Sequence, residues 1–97
     1  MIRREGQRIV LSGAVTLANV ARVAEEGGRH LAEGVQTVDA GEVSEMDSSL
    51  LAMLLAWLRE ARSQERELWF ANLPEALQTL ARLYGVEGLL PPAPSQR

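Results

Sequence analysis

Glu45-Met46-Asp47-Ser48-Ser49-Leu50-Leu51-Ala52-Met53-Leu54-Leu55 is the stretch on which the fold of this chain turns. Asp47 or Ser48 can cap a helix there, accepting the hydrogen bond that an unpaired N–H of the first turn needs. The helix is expected from about Ser49 to Arg62. Leu50, Leu51, Leu54, Leu55, Leu58 and Ala61 fall on a stripe about 140° wide, enough to cover a sheet. Met53 and Trp57 flank that stripe, and Ala52 and Ala56 lie nearly behind it. Only Ser49, Arg59, Glu60, Arg62 and Ser63 relieve the apolar excess, whereas a surface helix of a monomer is ordinarily polar outside. Two readings follow. Either Met53 and Trp57 fold over into a wide core, or Ser49, Ala52, Met53, Ala56 and Glu60 line a small-residue face that docks a partner. The positive end of the helix dipole would also tolerate a phosphate on Ser48 or Ser49.

Upstream, Met1–Glu5, the turn Gly6-Gln7 and Arg8–Leu11 predict a strand pair closed by Ser12-Gly13. Thr16 then caps a helix from about Leu17 to Glu33, with Leu17, Val20, Ala21, Ala24, Gly28 and Leu31 on its apolar stripe. Gly27-Gly28, at or beside that stripe, suggests close approach to another element, and Gly34 suits the helix end. Val35–Ala40 is a short β-branched strand, and Glu42–Met46 a loop leading to Asp47. Downstream come a strand at Glu67–Ala71 and a helix from about Pro74 to Tyr84, its stripe Leu73, Leu77, Leu80, Ala81 and Tyr84. Strands alternating with helices predict a mostly parallel sheet.

Composition removes most chemistry. The 97 residues contain no cysteine and one histidine, and carry a net charge of −3. Disulfides, thiolates and cysteine zinc sites are excluded, and the chain suits a reducing compartment. All ten basic residues are arginine, outnumbered by thirteen acids, so the footprint of a general nucleic-acid binder is missing. With no lysine there is no P-loop. A Ser–His–Asp site would need His30, which helical spacing places near the solvent face. Asp39, Glu42, Glu45 and Asp47 lack the glycine and the spacing of a calcium loop and read as a solvated loop. Neither metal nor cofactor is expected. Arg3, Arg4 and Arg8 before Ile9–Ala21 superficially suggest a signal peptide, but Ser12-Gly13, Thr16 and Asn19 interrupt the apolar run. The longest such run, Leu50–Leu58, has nine residues and is too short to cross a bilayer.

Val35–Ala40, the loop, and Met46-Asp47-Ser48-Ser49-Leu50-Leu51 together resemble the STAS-domain pattern, in which a strand leads through a loop into a D-S/T-x-x-L helix start. The element order after the N-terminal strand pair is similar as well. Leu80-Ala81-Arg82-Leu83-Tyr84-Gly85-Val86, Leu89-Leu90-Pro91 and Leu11-Ser12-Gly13 resemble the MlaB-like branch, small STAS subunits of the Mla phospholipid ABC transporter. The resemblance implies a single α/β STAS-like domain over residues 1–91, with a mostly parallel mixed sheet, three main helices and a disordered tail over 92–97. It implies a non-enzymatic subunit that binds and stabilises or regulates the cytoplasmic ATPase of an intermembrane phospholipid transporter, which maintains outer-membrane lipid asymmetry. Such a subunit would be cytoplasmic and would reach the inner membrane only through the ATPase and its permease. Self-association through the same helix is left open.

The implied contact is Ser48, Ser49, Ala52, Met53, Ala56 and Glu60, with Asp47 as helix cap. The functional hydroxyl of the MlaB branch corresponds to Ser48. In the alternative branch, the anti-sigma factor antagonists, the phosphorylated residue corresponds to Ser49. Leu50 stands where both patterns usually have glycine. Its bulk weighs more against a kinase reaching Ser49 than against a packed protein interface.

Overall fold

Gly6, at φ +64, takes the left-handed conformation that reverses the chain between β1 (Ile2–Glu5) and β2 (Arg8–Val15). The computed structural model, which describes residues 1–94, continues with α1 (Val20–Ala32), β3 (Thr37–Met46), α2 (Ser48–Ser63), β4 (Trp69–Ala71) and α3 (Glu75–Leu83). The sheet order is β1-β2-β3-β4, with β1 antiparallel to β2 and the other pairs parallel. Each parallel pair is joined through a helix, the connection such pairing requires. The expected mixed α/β architecture of a strand pair, a parallel sheet and three helices is therefore the observed one.

The sheet divides its side chains by the strand period. Ile9, Leu11, Val38 and Phe70 enter one core with Val23 of α1, Leu50, Leu54 and Leu58 of α2, and Leu77 and Ala81 of α3. The cross-strand partners Arg3–Val10, Val10–Asp39 and Asp39–Ala71 occupy the other face, where the charges are compensated. Arg8 Nη1 lies 2.7 Å from Asp39 Oδ2, and Arg3 bridges Glu5 and Glu42. The Arg3 guanidinium holds the Glu42 carboxyl below its usual range.

Several boundaries differ from the sequence expectation, each for a tertiary reason. β2 does not close at Ser12-Gly13, and Glu42–Met46 is strand rather than loop. The two segments pair with each other out to Val15 and Met46, through register shifts at Val10/Ser12 and Gly13/Ala14. Gly13, at φ +78, supplies the backbone freedom such an irregularity uses. α1 starts at Val20 after Asn19, not at Leu17 after Thr16. The Asn19 side chain accepts from Thr16 N at 3.0 Å and donates to Ala14 O at 2.8 Å, holding residues 14–19 as a turn. The buried line of α1 is consequently Val23 and Gly27, while Leu17 and Ala21 are exposed. β4 begins at Trp69 instead of Glu67. Tyr84 lies outside the α3 stripe, 63% exposed.

The tail expected over 92–97 also changes. Pro92 bridges Phe70 in parallel, and Ala93, which is buried, donates its N–H to Phe70 O at 2.9 Å. Ser95, Gln96 and Arg97 lie outside the described residues.

α1 and α2 meet at Gly27. An alanine Cβ there would overlap the six-membered ring of Trp57, whose Nε1 donates to Ala24 O at 3.3 Å. Gly27→Ala should therefore destabilise the fold by about 1–3 kcal/mol through overpacking, despite alanine's better helix propensity. Thermal denaturation of Gly27→Ala and of Gly27→Ala/Trp57→Leu tests this. The smaller partner should recover part of the loss relative to Trp57→Leu alone.

Candidate docking site

The site is built on the junction between β3 and α2. β3 delivers Asp47 in an extended conformation, φ −134 and ψ −170, and α2 begins at the next residue. The backbone change at Asp47 turns its carboxylate back over the first turn. Oδ1 accepts from Ser49 N at 2.9 Å and from the Ser49 hydroxyl. Oδ2 accepts from Leu17 N, in the β2–α1 turn, at 2.9 Å. Asp47 is thus the helix cap, as the sequence suggested, and also a tie to another part of the chain. The Ser49 hydroxyl, then the Leu17 and Ser49 N–H groups, hold its carboxyl below the usual carboxylate range.

α2 separates the expected contact residues. Ser48, Ala52, Ala56 and Glu60 are exposed and recur every fourth residue, so they run along one face over about 18 Å. Ser49 is half-buried at the edge of that face. Ser48 makes no side-chain hydrogen bond to the described residues, whereas Glu60 accepts from Gln64 Nε2 at 3.1 Å. Met53 departs from the docking expectation. It is 4% exposed and belongs, with Trp57, to the core. Trp57 packs on α1 at Gly27, and Met53, one turn earlier, is buried in the same core, so the wide apolar surface of α2 is consumed by folding. What remains outside before the charged end of the helix at Arg59 is the narrow line of Ser48, Ala52 and Ala56.

One residue of this surface escaped the sequence reading. Leu17 is 79% exposed, and its N–H is fixed on Asp47. Counting it into the α1 stripe hid it. The available signal was Asn19, as good a helix-start residue as Thr16 and three positions later.

The other candidates are dispersed. Asp39 pairs with Arg8 and Asn72, Glu42 with Arg3, and Asp47 with backbone and Ser49, and among the described residues no three acids gather as a metal site would need. His30 is half-buried rather than solvent-facing, and its Nδ1 is enclosed without a hydrogen-bond partner among the described residues. No helix among the described residues is long and apolar enough to cross a membrane.

The family model described as "Mlab, STAS domain" matches residues 1–91. The chain belongs to this STAS family. No curated relative matches the sequence significantly. Among solved structures, the anti-sigma factor antagonist SpoIIAA in its unphosphorylated form superposes with a TM-score of 0.71 at 17% identity, covering 99% of this chain and 89% of that one. The phosphorylated form of the Bacillus SpoIIAA gives 0.67 at 17% identity, with 99% and 92% covered. A candidate anti-sigma factor antagonist of Thermotoga maritima gives 0.76 at 13% identity, with 99% and 88% covered. At these identities the likeness is one of fold.

The Asp47 tie has a pH signature. A carboxyl whose folded pKa is depressed contributes stability that is complete above its unfolded value, near 3.8, and is lost as pH falls through the lower folded value. Asp47→Ala should lower the melting temperature at pH 7 and narrow the gap to the unsubstituted STAS domain below pH 4. Melting curves of both proteins across that range measure it.

Proposed function

We propose that this STAS domain is a non-enzymatic subunit that docks, through the start and outer face of α2, onto the cytoplasmic ATPase of an ABC-type intermembrane phospholipid transporter. It would stabilise the ATPase or tune its turnover, and would lie at the inner membrane only through that complex and its permease. The observation that carries the reading is the family match over residues 1–91, combined with an unusually small-sided exposed helix face.

The chemistry suits docking. Ser48 can exchange its water partners for a group across an interface, since no described residue already occupies its hydroxyl. Ala52 and Ala56 let a partner's backbone or helix approach closely, with little side-chain entropy to lose. Asp47 keeps the first turn in place without relying on the partner. Nothing in this scheme calls for a cofactor, a metal or nucleic acid.

A second reading is a phosphorylation-switched antagonist of an anti-sigma factor, favoured by the fold likeness to an antagonist known in both phosphorylation states. Ser49 would carry the group. A phosphate of roughly −1.5 to −2 charges against Asp47 would loosen the cap and change the docking face. Stoichiometric phosphate on Ser49 in protein from its host, read by mass spectrometry, would favour this switch.

Ser48→Arg should abolish co-purification of the ATPase while the isolated domain stays folded and melts within a few degrees of the unsubstituted chain, because an exposed change at the helix start costs about 1 kcal/mol or less. Pull-down from the host with tagged unsubstituted and Ser48→Arg chains measures this. Retention of the ATPase by the variant would remove α2 from the contact.

A further inference from the structure

Leu17 is a large aliphatic side chain left 79% exposed in a turn that is tightly held. Leu17 N is fixed on Asp47 Oδ2, Ala18 N on Thr16 Oγ1 at 3.3 Å, and Asn19 clamps Thr16 N and Ala14 O. The turn thus presents the side chain to solvent with its backbone already ordered. Such a side chain loses little further freedom on binding and gains the full transfer of its surface from water.

Two acids belong to the segments that adjoin this turn. Asp47 touches the same turn, and Glu45 pairs in register with Ala14 at its base. Both acids are exposed, and neither forms an ion pair with the described residues. The turn also abuts the α2 start through the bond from Leu17 N to Asp47, which joins Leu17 to the residue that precedes Ser48.

The geometry points to Leu17 as the anchor of the docking surface, seated in an apolar socket of the partner protein that is bordered by lysine or arginine side chains facing Glu45 and Asp47. This rests on the docking function proposed for α2, and it specifies the partner's chemistry and a contact outside α2. Leucine supplies affinity and the acids supply orientation and speed of encounter, which salt weakens.

The test measures affinity of the full chain for the purified ATPase subunit of its host's transporter, at low and high salt, for Leu17→Ala, Leu17→Glu, Glu45→Gln and Ser48→Arg. Melting curves of each variant accompany the affinities. Leu17→Ala should weaken binding at least tenfold and Leu17→Glu should abolish it, with both melting like the unsubstituted chain. Glu45→Gln should weaken binding a few-fold at low salt and reduce the salt dependence. If Ser48→Arg abolishes binding while both Leu17 variants bind normally, the anchor is refuted and docking through α2 stands. Salt-independent binding with an unaffected Glu45→Gln refutes the basic border. If the unsubstituted chain does not bind the ATPase, the docking function and the anchor both fall.

Discussion

The carboxylate of Asp47 joins the parts on which the rest of this STAS domain depends. One oxygen closes the first turn of α2, and the other holds the β2–α1 turn through Leu17 N. Without the first contact the helix start would expose unpaired N–H groups. The second ties the β2–α1 turn to the start of α2 just beyond the last ladder pair, Val15 and Met46. A single acidic residue therefore converts two loop ends into one shaped surface, at the end of the sheet where the parallel strands β2 and β3 finish.

The body of α2 shows how a helix serves two layers at once. Leu50, Leu54 and Leu58 seal the sheet, while Met53 and Trp57 pack the adjoining flank, Trp57 against Gly27 of α1. Its apolar circumference is thus mostly a requirement of folding in a small domain with one core. The small residues Ala52 and Ala56, rather than the large ones, are what folding leaves to the outside. That division leaves the exposed face of the first turns of α2 to residues with the least side chain to reorganise.

The Leu50–Leu58 period and Asp47 made α2 and its cap legible in the sequence, because both signals are local. The same was true of the strand pair, the parallel order and the α3 core positions Leu77 and Ala81. β3 was legible only to Ala40. Gly41-Glu42-Val43-Ser44-Glu45 lacks the alternation of a half-buried strand and is ordered by pairing with the irregular second half of β2. The phase of α1 was misread by including Leu17, and its true contact line runs through Gly27. A glycine becomes a packing residue only when the ring that fills its space is known, and that ring comes from the next helix. Of the proposed docking face, Ala52, Ala56 and Glu60 follow from helical spacing and are exposed, whereas Ser48 came from the family resemblance. The exposure of Leu17 was missed because it depends on where the chain turns.

Pro92 bridging Phe70 bears on how the molecule behaves in a crowd. The β4 margin of the sheet is only three residues long and is flanked by a proline, which has no N–H to offer an incoming chain. The β1 margin is four residues long and carries Arg3, Arg4 and Glu5. Among the described residues both sides are poor templates for strand addition, the usual route by which an open sheet polymerises. Among the described residues, growth of the sheet from copy to copy is therefore disfavoured at both margins.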